Sequence, residues 1–398
     1  MPAIADASTF GSVLKSRRGF GPGFDFMRLW LAVTVLAWHC RQLSYGELLS
    51  AEATPFWIVD YSVVPMFFGL SGFLVAASGM RLSLCNFLIN RGLRILPALV
   101  VEILISALLL GPVFTVVKLA DYFTSIKFWH YLTNMIGIIN YELPGVFVGN
   151  PISKVNYSLW TVPYEIGCYA ILSALMVTGM LKAPRMVAAA TVCLMLSAVA
   201  VETSGLAAHA PGPVVHLLNF LFLNGGAKLL PCFLLGVLAY QWREHIPYDA
   251  RLFAICLLLC LALASFGNIS LKNATWLQLP MLPAMIYIVI FLGLTPLPRL
   301  PIFDRGDYSY GIYLYHVPFL QAVLVCLPGL AAWKLFAIGL PLVTALAALS
   351  WHLVEKPILA QRKRFALATI RAAPPAALVT PAPATHAAWT SAAVQPRS

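Results

Sequence analysis

The sequence predicts an all-α membrane protein, a polytopic bundle of about ten transmembrane helices with both termini cytoplasmic. Three observations carry that prediction. Of the 398 residues, 60% are apolar and only 10% are charged, against roughly 25% charged in an average soluble domain. The apolar segments are continuous and rich in Leu, Ala, Val and Ile. They lack the period-two alternation of a barrel strand. The basic residues, finally, gather on one side of these segments.

Taken in order, residues 1–23 form a cytoplasmic N-terminal segment. It has no apolar core of a cleavable signal, and it contains Lys15, Arg17 and Arg18. Runs long enough to cross a bilayer, about 20 residues, fall near 24–41, 56–78, 95–117, 157–180, 186–204, 223–242, 251–268, 274–295, 308–328 and 333–354. The sixth and eighth carry polar or proline interruptions. With the N-terminus inside, 18 of the 26 Lys and Arg face the cytoplasm. Six face outward: Arg41, Lys118, Lys127, Lys154, Lys272 and Lys334. That three-to-one bias is a positive-inside signal, so the net charge of +11 reads as topology rather than as nucleic-acid binding. The longest outer connection, 118–156, is too apolar for a solvated loop and is expected to fold back as an interfacial helix and lid. Residues 358–398 read as a basic, then Ala/Pro-rich, disordered cytoplasmic tail. The eight cysteines form no CxxC pair and read as small hydrophobes; no metal site is expected.

Ionisable residues inside spans are costly and are functional candidates by default. Arg28 and His39 are eleven positions apart, which returns to nearly the same helix face, with a rise of about 16.5 Å. Arg28 then sits near the cytoplasmic headgroups and His39 in the outer half. Two readings stay open: a base and an anion holder, or a snorkelling arginine paired with Asp25 and an interfacial histidine. Gly69, Ser71 and Gly72 permit close helix approach, or backbone near a ligand. Arg91 and Arg94 share a face at the inner surface. They are a bidentate phosphate grip or simple positive-inside charge. Ser158, Glu165 and Tyr169 share a face, and Glu165 is the residue hardest to explain as structure. Glu102 lacks polar company and reads as a structural or orienting residue. Ser309, Tyr313 and His316 line one face, with Tyr310 beside it, as expected of a polar cavity. Glu355 and Lys356 close the final span.

In chain order these strings resemble the acyltransferase-3 family of bacterial integral-membrane acyltransferases. The marks are FDFMR followed by His39, FFGLSGFL, RGLRILP, NYSLWTVPYE, SYGIYLYH and the terminal VEKP. They run from Phe24 to Pro357, so the membrane domain is set at 24–357. The first string departs from a common form in which a glycine-containing turn precedes the arginine. The resemblance implies transfer of an acyl group, usually acetyl from acetyl-CoA, onto sugars of surface polysaccharides or lipid-linked glycans; other members acylate antibiotics or peptidoglycan. It implies His39 as the catalytic histidine and Arg28, Arg91 and Arg94 in donor handling. The acyl-CoA is then a co-substrate, with no permanently bound cofactor. The partners are the glycan acceptor and the lipid of a bacterial cytoplasmic (inner) membrane.

On this reading His39 is a general base or briefly carries the acetyl group, and Glu165 orients its imidazole. Ser158, Tyr169, Ser309, Tyr310, Tyr313 and His316 line the substrate. The rival reading is a glycan or small-molecule transporter or flippase without acyl transfer, which ten spans and a polar interior also suit. No GxxxxGK[ST] loop is present, which argues against an ATP-driven pump.

Overall fold

Continuous apolar segments fold as helices because backbone polar groups in lipid must be satisfied within the segment. The computed structural model describes residues 8–19, 21–46, 57–209, 211–223, 225–266, 278–298 and 306–362. All lie within one compact unit, Met1–Ala366. Among them every regular element is helical, and extended pairing is limited to two isolated bridges, Thr9 with Pro247 and Thr115 with Val146. Six helices are long and apolar enough to cross a membrane, or seven if one bent pair counts as a single span. The tail from 363, the start of the N-terminal segment and the turn between the seventh and eighth sequence spans lie outside the described residues.

The principal helices are α1 Phe10–Ser16, α2 Phe24–Tyr45, α3 Trp57–Gly79, α4 Leu84–Ile105, α5 Val162–Val177, α6 Pro184–Ser204, α7 Gly212–Phe222, α8 Gly226–Gln241, α9 Ala250–Phe266, α10 Met281–Leu294, α11 Ser309–Cys326 and α12 Ala332–Ser350. Helix α1 was not anticipated. Its signal is a capping box, in which the Thr9 hydroxyl accepts from the Ser12 amide and the Ser12 hydroxyl accepts from the Thr9 amide. It buries Phe10 against Tyr287, ring centroids 5.3 Å apart. Helix α2 is long enough to span but carries Asp25, Arg28, His39 and Arg41, so it is not among the six. Helix α4 runs on through a π-turn, Ser106–Leu110, to Phe114. It therefore begins eleven residues before the apolar run does, and Arg91 and Arg94 lie within it rather than in a connection. Helices α7 and α8 are the bent pair, meeting at 46°. Helices α9 and α10 are apolar but shorter.

Small residues set the tightest packing. Helix α3 lies along α8, where a Cβ on Gly72 would meet the Phe233 carbonyl and one on Gly236 the Gly69 carbonyl. Of the two readings of the glycines, the structure realises close helix approach, while Ser71 faces a cavity. Helix α11 packs on α2 and α12. Arg28 meets Asp307 and, eleven residues on, His39 meets His316. Contacts that advance together along both chains mean that α2 and α11 run in the same direction.

The connection 118–156 contains short helices that pack against the bundle. Short helices Leu119–Thr124 and Ile126–Leu132 bury Tyr122, Phe128 and Tyr131, and the Tyr122 hydroxyl donates to the Ala107 carbonyl at 2.8 Å. The buried Gln321 amide of α11 donates to the carbonyls of Ile152 and Lys154 at 2.6 and 2.8 Å. The Asn150 amide donates to the Gln321 side-chain oxygen at 2.7 Å.

The glycine contacts predict a contrast. Gly72→Val forces a side chain into backbone and costs about 1–3 kcal/mol. Gly92→Ala meets its nearest neighbour, Leu96 Cδ1, at 3.8 Å and is neutral or stabilising by up to ~1 kcal/mol. Thermal unfolding of the purified proteins in one detergent checks this; equal melting of the two variants would refute it.

Candidate active site

A cavity opens between α2, α3, α4, α5 and α11, enclosing about 1040 Å³ with the space at its mouth. Arg28, Arg91 and Arg94 line it together with Glu165, Tyr169, Ser309, Tyr310 and Tyr313. Eight of the eleven residues singled out in the sequence thus share one chamber. The other three, His39, His316 and Ser158, do not line it.

The arginines are held by acids that the sequence reading did not single out for them. Arg28 pairs with Asp307 at 2.8 Å, not with Asp25, its helix neighbour. Arg94 reaches the same Asp307 oxygen at 2.6 Å and Glu355 at 3.1 Å. The Glu355 side chain is only 1% exposed. The Arg94 guanidinium also lies over the rings of Tyr310 and Trp351, at 5.6 and 5.7 Å, an arrangement that suits a planar, weakly hydrated cation. Burial alone would raise the Asp307 carboxyl. The Arg28 and Arg94 guanidiniums, with the Ser309 hydroxyl and amide, outweigh it and hold the group well below the usual carboxylate range. Arg91 differs from Arg94. Its Nε is buried and has no hydrogen-bond partner among the described residues.

Glu165 accepts a hydrogen bond from the Tyr169 hydroxyl at 2.7 Å, the i,i+4 contact the spacing predicts. Ser158 is out of phase with them because Tyr157–Thr161 is a 3₁₀ turn. Its hydroxyl is fully buried and donates to Asn156 Oδ1 at 2.6 Å. Tyr313 bonds with the Thr161 hydroxyl at 2.9 Å and donates to the Ser158 carbonyl at 3.2 Å. It also stands beside His316, ring centroids 5.9 Å apart, so one side chain borders both the cavity and the histidines.

His39 and His316 are both buried, and the partner of His39 is His316 rather than Glu165. His39 Nδ1 lies 2.5 Å from His316 Nε2, and the edge of the Tyr157 ring packs on His39. Beside this pair, Asn156 donates to Glu102 Oε1 at 2.9 Å and to the Leu314 carbonyl at 3.0 Å. Ser106 donates to the same Glu102 oxygen at 2.8 Å. Glu102 therefore has the polar company that a one-dimensional reading denied it. Asn156, unremarked in the sequence, is the residue that joins Glu102 to α11.

The arrangement has two chemical ends. One is an arginine-lined chamber able to hold an anionic ligand, and the other is a pair of imidazoles, a group able to accept a proton.

Two relatives align along most of the chain. One, named Nodulation protein 10, from Rhizobium leguminosarum bv. viciae, is 29% identical over 368 residues, covering 86% of this chain and 95% of the relative. The other, named O-acetyl transferase, from Shigella phage Sf6, is 27% identical over 346 residues, covering 84% and 95%. No solved structure matches the chain. The acyltransferase-3 family model, described as Acyltransferase domain, matches residues 22–352, and the chain therefore belongs to the acyltransferase-3 family and is an acyltransferase.

Proposed function

We propose that the protein transfers an acetyl group from acetyl-CoA to a hydroxyl of a cell-surface or lipid-linked glycan, within a bacterial cytoplasmic membrane. The observation that carries this reading is the pairing of an arginine-lined chamber with a buried histidine at the next level of the same two parallel helices. The name of the phage relative supports the acetyl group and the oxygen acceptor. We further infer ten spans over a membrane domain at 24–357, with the N-terminal segment 1–23 and the tail 358–398 both cytoplasmic. The parallel run of α2 and α11 supports this, because the first and ninth of ten spans cross in the same sense.

In this mechanism the donor's phosphates enter at the arginine end and its thioester reaches toward His39. His39 takes the proton of the acceptor hydroxyl as that oxygen attacks the acyl carbon, and the thiolate of CoA leaves. The roles of the two neighbouring arginines separate. Arg94 is committed to Asp307 and Glu355 and holds the chamber's shape. Arg91, with a buried and unpartnered Nε, is the better phosphate ligand. Glu165, hydrogen-bonded to Tyr169 on the chamber wall, acts on the donor side rather than on the His39 imidazole. Tyr310 and Tyr313 shape the passage.

His39→Ala abolishes acetylation while expression and melting temperature persist; acetyl-ester content of the surface glycan from cells carrying the variant is the measurement. Undiminished acetylation would sink the assignment. Movement of glycan without consumption of acetyl-CoA would favour the transporter reading. Arg91→Ala weakens acetyl-CoA binding about 10- to 100-fold, the equivalent of ~1.5–3 kcal/mol for hydrogen bonds to a charged group, with little change in stability. Arg94→Ala leaves the buried Glu355 carboxylate without its ion-pair partner, while Asp307 keeps Arg28, and costs about 3 kcal/mol of stability. Donor titration alongside thermal melting separates the two, and the opposite pattern would reverse the roles.

A further inference from the structure

We propose that His316 is a positioning residue that sets the tautomer of His39, so that the His39 Nε2 lone pair is the one offered to the acceptor hydroxyl. His316 Nδ1 lies 3.1 Å from the Ile312 oxygen. A carbonyl oxygen can only accept, so His316 Nδ1 carries the hydrogen. In a neutral ring the other nitrogen, Nε2, is then a bare acceptor. That nitrogen faces His39 Nδ1 at 2.5 Å, so the hydrogen between the rings belongs to His39 Nδ1. His39 Nε2 is left as a lone pair.

The ring geometry supports a directed bond over face-to-face stacking. The planes are 14° apart and the centroids 4.8 Å. With facing nitrogens only 2.5 Å apart, two five-membered rings reach that separation only when the N···N line passes close to both ring centres. The rings therefore meet tip to tip. The chain Ile312 carbonyl, His316, His39 does with two neutral imidazoles what an acidic partner does in a Ser–His–Asp triad. It places no charge beside the base. In the transfer step His39 Nε2 receives the acceptor's proton and becomes an imidazolium. The His316 Nε2 lone pair then accepts a stronger bond from Nδ1–H.

What this says about turnover rests on His39 being the base, as proposed above; the tautomer does not. The test therefore has two arms. In the first, full-length protein labelled with ¹⁵N-histidine is studied by NMR in lipid nanodiscs, with His39→Gln assigning the resonance. The expected result is His39 in the Nδ1–H form, with a shift toward the Nε2–H form in His316→Leu. An Nε2–H His39 in the parent, or an unchanged tautomer in His316→Leu, overturns the proposal. In the second arm, His316→Leu lowers kcat on the order of 100-fold while KM for the acyl donor is unchanged. His316→Gln supplies an amide donor for the Ile312 carbonyl and an oxygen acceptor for His39, and it recovers most of the loss. A glutamine variant no better than leucine, with both folded, counts against tautomer control. If the NMR arm succeeds and His39→Ala retains full turnover, the reading of His39 as base fails and the hydrogen-bond relay stands.

Discussion

Two arginines drawn into the low-dielectric interior of a helical bundle need anionic partners, and here one aspartate serves both. Asp307 ties Arg28 of α2 to Arg94 of α4, and Glu355 beyond the end of α12 completes the cluster on the far side of Arg94. The four groups belong to segments widely separated in sequence, so the cluster sets how those segments meet at one end of the molecule. Removing Arg94 leaves the buried Glu355 without its cation, which costs far more than an exposed ion pair contributes. The cavity owes its cationic wall to this arrangement.

The histidine end follows from the same alignment. Once Arg28 and Asp307 fix α2 beside the start of α11, the helical rise carries His39 and His316 up together until they meet. Nine residues separate Asp307 from His316 and eleven separate Arg28 from His39, close enough for parallel helices in contact to stay in step. The arginine cluster lies at one level and the imidazole pair at the other. Tyr313 stands between them, touching His316 on one side and the cavity on the other.

Much of this was legible from residue type and period. Glu165 with Tyr169 follows from helical spacing, whereas the grouping of Arg28 with Arg91 and Arg94 came from the family resemblance. The helix of Arg91 and Arg94 starts at Leu84, ahead of the apolar run at 95, because its first turns carry the two arginines. Ser158 fell out of phase because a 3₁₀ turn advances faster per residue than an α-helix, and nothing in NYSLWT announces that change. The partnerships were not legible at all. Asp25 was the local choice for Arg28 and Asp307 the actual one, 279 residues away. Glu165 was the obvious acid for His39, yet the imidazole meets another imidazole. Periodicity says which residues share a face; which face meets which is decided by the packing of whole helices, here by Gly72 and Gly236 letting backbone touch backbone.

The outer connection bears on the proposed chemistry through water. A thioester held near a general base is open to hydrolysis unless the site excludes solvent. The connection is fastened on two sides of the histidine pair. Asn156 is bonded to Glu102 on α4 and to the Leu314 carbonyl on α11, and Gln321 on α11 holds the carbonyls of Ile152 and Lys154. Each fastening satisfies a polar group that burial would otherwise leave costly, so the loop is held by hydrogen bonds as well as by its aromatic residues. Tyr157, which ends this stretch, lays its ring edge on His39. An acceptor arriving from the outer side must therefore displace or pass beneath a segment whose buried amides are already matched, and the energy for that step has to come from the acceptor's own contacts.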